Sequence, residues 1–220
     1  MKKSIIYLFL LTCISYGDIN ILKSDMQVNI KAKTWLEIKN KKVTRQDKDF
    51  SCGSAALSTI LTYFYHTETP ETKILSFLLR NKSNLKKNRE KNGLSFVDLE
   101  QYIYHIKFKP LALAVDMYTL KKLQIPAILY IKIKDDKHFT VYKGSDSKYI
   151  YLADPSFGNI KISLKKFQKM FYYSTGKNLH AGMIMAILPN SNKYAIDKTF
   201  MKIPKRYKST YIGLKLNLFR

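Results

Sequence analysis

A polar segment that runs straight into an apolar helix constrains this chain more than any other feature. Residues 45–57 read RQDKDFSCGSAAL, and apolar side chains then recur at helical spacing, which predicts a helix from Ser51 to Tyr65. Cys52 stands in the first turn, where unpaired N–H groups and the helix dipole favour a thiolate. Gln46 lies six residues earlier, and Gly53 leaves room beside the sulfur for another backbone. The segment predicts a reactive cysteine; the alternative is a small buried core residue.

The first 17 residues are typical of a cleaved export signal. Lys2 and Lys3 precede a short apolar run, and Ser15-Tyr16-Gly17 places small residues at the −3 and −1 positions of a cleavage site. The run is short for a membrane anchor, and a threonine directly before Cys13 disfavours a lipoprotein site. We expect a periplasmic or secreted protein of one domain, without a transmembrane span after removal of the signal. Cys52 would then have no intramolecular disulfide partner.

The charge balance is strongly basic. The formal net charge is +23, and +21 once Lys2 and Lys3 are removed. Such an excess ordinarily indicates a polyanionic partner. Only five of the 39 cations are arginine, however, and lysine provides few of the bidentate contacts that read nucleic acids. A lysine-rich solvated surface is therefore favoured over nucleic-acid binding, while weak attraction to anionic lipid or an acidic partner stays open.

The first half of the chain is predicted to be mainly helical. Alternation in residues 27–33 predicts one strand, and Thr69-Pro70-Glu71 supplies a cap, a helix-starting proline and an early acid for a second helix. That helix should bury three apolar side chains, namely Ile74, Phe77 and Leu78. Residues 81–92 are polar and basic and predict a mobile surface loop. Ser95 begins a third helix, with Asp98 completing a capping box and Leu94 stapled onto Leu99.

The second half is predicted to be rich in strands. The expected strands are Leu111–Val115, Ala127–Ile133, His138–Lys143, Tyr149–Ala153 and Met183–Leu188, and the expected helical turns are Tyr118–Leu123 and Leu164–Phe171. A helical front half packed on an antiparallel sheet makes the fold class α+β.

Three motifs in this order resemble the C39 peptidases, papain-like cysteine proteases known for trimming leader peptides from bacteriocin precursors. The motifs are Gln46-x5-Cys52-Gly-x-Ala-Ala-Leu, His138-Phe-Thr-Val and Leu-Ala-Asp154-Pro155, and the likeness runs from Val43 to Leu188. It is greatest to stand-alone exported members, including those associated with functional amyloid fibre export. The implied division is a signal peptide (1–17), an N-terminal extension with a strand (18–42), a peptidase domain (43–189) and a basic C-terminal extension (190–220).

The resemblance assigns a role to four side chains. It makes Cys52 the nucleophile, His138 its general base, Asp154 the residue that orients the histidine, and Gln46 a donor to the oxyanion. No cofactor or metal is implied. Two departures are visible, because Ser51 stands where many members have aspartate, and the transporter to which most members are fused is not seen in this sequence.

A triad requires His138 and Asp154 to share one face of a hairpin. In an antiparallel pair this happens only if the two residues are directly opposite or two positions apart. We therefore expect a three- or five-residue connection, with a turn at residues 144–147, or a bulge near Asp154. A regular hairpin with a two- or four-residue loop would turn the carboxylate to the wrong face.

Other polar residues are weaker candidates. His66 is expected at a helix end, His105 and His180 lack an acid or cysteine at ligand spacing, and Asp98 is explained as a cap. Asp136 could reach the site from the turn before His138.

The last 31 residues are a separate feature. Residues 190–220 carry eight cations against one acid, and residues 212–218 alternate as a strand does. The segment could form an added edge strand on its own sheet. It could instead dock by strand addition onto a secretion-system or fibre-assembly partner, or onto the substrate.

The sequence thus favours an exported cysteine peptidase that processes a secreted or fibre-forming precursor. The resemblance implies a polypeptide substrate with a Gly-Gly or Gly-Ala cleavage site. Two alternatives stay open: a hydrolase of peptidoglycan peptides, and a catalytically silent C39-like binding or chaperone module of a secretion system.

Overall fold

The computed structural model describes residues 18–23, 26–31, 34–80, 91–134, 136–172, 180–191 and 194–203. The chain divides into two compact units, residues 1–38 and 39–220. The predicted signal peptide, nearly all of the predicted 81–92 loop and the alternating pattern at 212–218 lie outside the described residues. Among those that are described, no helix combines the length and apolarity that a membrane crossing requires.

The first unit contains a two-stranded hairpin. Strand β1 (Asp18–Lys23) pairs antiparallel with β2 (Met26–Lys31), and β2 corresponds to the strand predicted at residues 27–33. Helix α1 (Trp35–Asn40) follows, and its start is a capping box, because the Thr34 hydroxyl and the Glu37 carboxylate bind each other's backbone N–H. Neither β1 nor α1 is among the predicted elements.

The second unit is built on a six-stranded antiparallel sheet. Its spatial order is β3-β8-β4-β5-β6-β7, so that β3 and β7 form the two edges. The strands are β3 (Phe108–Val115), β4 (Ala127–Ile133), β5 (Asp136–Ser145), β6 (Tyr149–Asp154), β7 (Gly158–Ser163) and β8 (Gly182–Pro189). Five of them correspond to predicted strands, whereas β7 was not predicted.

Within the described part of the chain, five helices with defined bounds accompany this sheet. They are α2 (Cys52–Tyr63), α3 (Glu71–Leu79), α4 (Phe96–His105), α5 (Met117–Lys122) and α6 (Leu164–Phe171). Helix α2 packs on β5 and is buried over its first ten residues, because it lies between the sheet and helices α3 and α4. A second apolar cluster gathers Phe167, Met170 and Phe171 of α6. The α+β class expected from the sequence is therefore confirmed.

The helix starts test the capping predictions. Ser95 and Asp98 form the predicted capping box of α4, and Leu94 and Leu99 are buried in one cluster. The predicted cap of α3 is wrong: Pro70, not Thr69, occupies the N-cap position, and no side chain caps it. The Thr69 hydroxyl instead donates to the Thr67 carbonyl, because the chain is still turning there.

Candidate active site

Cys52 is the first residue of α2 and lies where that helix meets the sheet. Its side chain is only 7% exposed and belongs to the main apolar cluster, yet it also lines an open cleft of about 790 Å³. Ser51 precedes it, and the Ser51 hydroxyl forms hydrogen bonds with the backbone of Lys48. That side chain is therefore bonded to the preceding loop and not to the helix. Cys52 thus combines the burial of a core residue with access to the cleft.

Gly53 has a different surrounding from the one expected. A Cβ there would meet the ring of Phe139 at 3.1 Å and the side chains of Leu94 and Leu99 at 3.4 Å. Gly53 therefore lets the start of α2 approach the sheet closely. It does not leave the space beside the sulfur that was expected for another backbone.

A buried carboxylate, which the sequence analysis did not single out, fixes the loop before Cys52. Glu71 is 6% exposed and accepts a hydrogen bond from the Asp47 N–H at 3.0 Å and from the Ser54 hydroxyl at 3.4 Å. Burial raises the pKa of Glu71, against the opposing effect of these hydrogen bonds. One side chain on α3 thereby ties the loop to the first turn of α2.

His138 and Asp154 form a buried pair. The Nε2 atom of His138 lies 3.0 Å from Oδ2 of Asp154, which is fully buried at the end of β6. The other oxygen, Oδ1, accepts from the backbone N–H groups of Ser156 at 2.9 Å and Phe157 at 3.0 Å. Because the carboxylate occupies Nε2, the Nδ1 atom of the ring is left for the thiol of Cys52, with which His138 also interacts.

The surroundings favour a charged imidazole. Burial opposes the imidazolium, but the negative charge and hydrogen bond of Asp154, together with Cys52, outweigh it and raise the pKa of His138 to about 10. An imidazolium beside the sulfur stabilises a thiolate electrostatically. His138 is therefore placed to hold a proton beside the sulfur.

The hairpin register explains how the two residues share a face. Ser145 pairs with Ile150 and Gly144 with Tyr151, and if this ladder continued without a break, Asp154 would face away from His138. Lys143 is an extra residue in β5, so Tyr142 pairs with Leu152 and the ladder shifts by one. Continued from Val141–Ala153, the shifted ladder aligns Asp154 with Thr140, two positions from His138.

The prediction for this hairpin is confirmed in part. Ser145 and Ile150 are the last paired residues, so four residues, 146–149, connect the strands; the expected odd length was wrong, and a bulge restores the register as the alternative prediction required. The bulge lies at Lys143 and not near Asp154, so its predicted place was wrong. Because four residues separate Ser145 and Ile150, the loop alone leaves Asp154 on the wrong face. The register must therefore shift by one residue further along the paired strands.

Gln46 lies at the other side of the cleft. Its Nε2 atom donates to the carbonyls of Lys48 at 3.0 Å and Asp49 at 3.3 Å, and its Oε1 atom accepts from the Ser156 hydroxyl at 2.7 Å. Gln46, Cys52 and His138 all line the same cleft. The structure thus brings together the four side chains singled out from the sequence, with Asp154 directly behind His138.

The remaining polar candidates are distributed differently. Asp136 is exposed and lines the cleft, whereas His66, His105 and His180 do not. His105 instead stacks on Phe77 at 4.5 Å between ring centroids. Among the side chains that the structure describes, no three His, Cys, Asp or Glu residues are grouped as metal ligands.

The lining of the cleft is partly apolar and partly charged. Its apolar residues include Leu94, Tyr130, Ile133 and Phe139, and its charged residues include Asp49, Lys91, Asp136 and Lys137. Tyr130 and Phe139 lie 5.1 Å apart between centroids, with Phe96 packed at 5.0 Å from Phe139.

The chain is similar to several known proteins. The Peptidase C39 family model matches residues 40–175. The chain is 30% identical over 127 residues to the probable functional amyloid protease FapD of Pseudomonas aeruginosa, a match that covers 58% of this chain and 55% of that protein. It is 27% identical over 190 residues to the lactococcin-A transport/processing protein LcnC of Lactococcus lactis, covering 84% of this chain and 25% of LcnC.

One solved structure shows the fold. The peptidase domain of Streptococcus ComA superposes with a TM-score of 0.51 at 18% identity, covering 67% of this chain and 97% of that domain. The fold is accordingly the papain-like α+β fold, as expected from the sequence. This chain spans about half the length of the FapD proteins it matches. With more than half of its residues matched by the family model, the chain belongs to the Peptidase C39 family.

Proposed function

We propose that this protein is a cysteine peptidase in which Cys52 is the nucleophile and His138 the acid and base. The observation that carries the proposal is the position of His138, which interacts with Cys52 while its Nε2 atom is held by Asp154 at 3.0 Å. A buried ion pair at the edge of an open cleft is costly to maintain without a function. The family membership agrees with this chemistry.

The reaction follows from the geometry in two stages. The imidazole takes the thiol proton, and the thiolate attacks the carbonyl carbon of the scissile amide to form a tetrahedral oxyanion. The imidazolium then gives its proton to the departing amine, the C–N bond breaks and a thioester remains on Cys52. Water, deprotonated by His138, attacks the thioester and releases the acid and the thiol. Asp154 keeps the ring in one orientation and stabilises its positive charge.

The oxyanion needs donors aimed at the place where charge develops. The side-chain amide of Gln46 and the backbone N–H of Cys52, at the positive end of α2, are the proposed pair. Gln46 lies on the cleft side of its loop, with its nitrogen held among the carbonyls of Lys48 and Asp49. Removing one such donor typically lowers kcat by about 10²–10³-fold.

The substrate is proposed to be an exported or fibre-forming precursor polypeptide. Similarity to the probable functional amyloid protease FapD supports this, as does the export signal expected in residues 1–17. The protein would then act in the periplasm or outside the cell. Cleavage after a pair of small residues, of the Gly-Gly type, is the specificity that we propose.

Two measurements test the peptidase proposal. A diverse peptide library, analysed by mass spectrometry, should show cleavage by the wild-type protein and none by Cys52→Ala. A peptidyl electrophile should label Cys52 in the wild type, and labelling should slow by at least about 10²-fold in His138→Ala, which loses the base. His66→Asn is the matched control, because His66 is exposed, does not line the cleft and has a φ of 49° that asparagine tolerates. Equal labelling of wild type and His138→Ala, without library cleavage, would contradict the proposal.

A further inference from the structure

Ser156 contacts both sides of the site through two different groups. It lies in the turn between β6 and β7, two residues after Asp154. Its backbone N–H donates to Oδ1 of Asp154 at 2.9 Å, and its hydroxyl donates to Oε1 of Gln46 at 2.7 Å. A single residue thus joins the carboxylate that holds His138 to the amide proposed to bind the oxyanion.

The hydrogen bonds decide which way the Gln46 amide points. The carbonyls of Lys48 and Asp49 can only accept, so the amide group that faces them must be the nitrogen. The oxygen then faces Ser156, whose hydroxyl must act as the donor. Without that donor the oxygen loses its partner at 2.7 Å, and the amide is held only through its nitrogen.

The backbone around Gln46 is held without help from the Ser156 side chain. The Gln46 N–H donates to the Pro155 carbonyl at 3.1 Å, and the Arg45 guanidinium donates to the Ser156 carbonyl. These contacts use main-chain carbonyls of the turn. Loss of the Ser156 hydroxyl would therefore leave the two segments in place and free only the end of the Gln46 side chain.

We propose that Ser156 is a positioning residue that anchors the Gln46 amide through its oxygen while an Nε2 hydrogen moves from the Asp49 carbonyl, the longer of its two contacts, to the developing oxyanion. This inference depends on the proposed function, because it assigns a task to Gln46 within that reaction. An amide anchored at its oxygen makes this exchange without turning, and a donor that must first be turned stabilises the transition state less. The hydroxyl therefore affects the rate of the chemical step and leaves the affinity for the substrate unchanged.

Steady-state kinetics on a cleaved library peptide provide the first test. Ser156→Ala should lower kcat by about tenfold with KM unchanged, which is less than the roughly 10²-fold loss expected for Gln46→Ala. Ser156→Thr, which keeps a hydroxyl, should recover most of the activity. Ser147→Ala, an exposed serine in the β5–β6 turn, is the control and should match the wild type.

Alkylation by iodoacetamide separates this role from an effect on His138. That reagent reacts at a methylene carbon and forms no oxyanion, so its rate follows the thiolate and its imidazolium partner. Ser156→Ala should alkylate at the wild-type rate with the wild-type pH profile. A slower rate or a shifted profile would mean that Ser156 acts through Asp154, and it would overturn the proposal.

A double-mutant comparison completes the test. In the Gln46→Ala background, Ser156→Ala should cause no further loss of kcat, because its only target is gone. An undiminished tenfold loss in that background would overturn the positioning role, as would a wild-type kcat for Ser156→Ala alone. Failure of the proposed function has a different signature: the wild-type protein itself would cleave no peptide, or Cys52→Ala would cleave as well as the wild type.

Discussion

At the scale of single residues, the site is centred on two buried polar side chains, His138 and Asp154, which are each other's partners. Asp154 accepts three hydrogen bonds with no exposed surface, and His138 is buried between that carboxylate and a thiol. These partners replace the hydrogen bonds to water that the carboxylate loses on burial. The positive charge of His138 therefore depends on Asp154 as well as on the imidazole itself.

The raised pKa of His138 predicts a particular pH dependence. Because the folded-state pKa of about 10 is above the ordinary value of 6.5, the charged pair stabilises the folded protein fully below pH 6.5. This contribution should be lost as the pH rises from 6.5 towards 10. In Asp154→Asn only burial and Cys52 would remain as major influences, so the pKa of His138 should fall and kcat should drop by about 10²-fold.

Imidazole C–H signals in NMR spectra recorded between pH 5 and 11 would measure that shift. Asp136→Asn is the informative control, because Asp136 also lines the cleft and is the other acid near His138 in sequence. If the pKa of His138 moved in Asp136→Asn and not in Asp154→Asn, Asp136 would be the carboxylate that orients the ring, and the assignment to Asp154 would be wrong.

At the scale of helices and strands, the parts that could be predicted were those with strong local signals. Helix α4 has its capping box, β4 and α6 have clear periodicity, and each was predicted at or near its observed bounds. Strand β7 reads GNIKIS, too short and too polar at its start to stand out, and it exists because β6 pairs with it. Helix α1 was missed although Thr34 and Glu37 carry a capping-box spacing.

The candidate site was predictable in its residues and not in its supports. The three motifs identify Cys52, His138, Asp154 and Gln46, because the chemistry requires those side-chain types. The bulge at Lys143, which brings the hairpin into register, is followed by Gly144 with a φ of 144°, a glycine that the sequence pattern placed in the turn instead. Glu71 and Ser156 act across 24 and 110 residues of sequence, so only the folded chain brings them to Asp47 and Gln46.

Glu71 connects α3 to the start of α2, so its removal should lower both the stability of the protein and the reactivity of Cys52. Glu71→Ala leaves the Asp47 N–H without its acceptor, while the Ser54 hydroxyl keeps the Ser51 carbonyl, and this should cost about 1–3 kcal/mol of unfolding free energy. Urea denaturation would measure this loss, and iodoacetamide would show slower alkylation of Cys52 as the loop loosens. Glu68→Ala, an exposed glutamate three residues earlier, should change neither quantity. Equal stability of the two variants would show that Glu71 is not needed to hold the loop.

At the scale of the whole molecule, the peptidase core includes residues beyond the last strand. Phe200 is 1% exposed and packs in the main apolar cluster, with its ring 6.1 Å from that of Phe64. The N–H of Asp197 donates to the Phe64 carbonyl at 2.8 Å, and the Asp197 carboxylate pairs with Lys42. Part of the basic C-terminal extension, residues 194–203, therefore belongs energetically to the domain before it.

This packing decides where a truncation can test the role of the C-terminal segment. A chain ended after Pro189 would lose Phe200, and Phe200→Ala alone should cost about 3–5 kcal/mol of unfolding free energy. A chain ended after Ile203 keeps that contact, so we expect wild-type thermal stability and wild-type cleavage of library peptides. If residues 204–220 dock onto a partner by strand addition, the shortened protein should fail to process its precursor in cells while it remains active in the peptide assay. Normal processing in cells by the chain ended at Ile203 would exclude docking through this segment, and reduced stability of that chain would show that residues 204–220 are part of the fold.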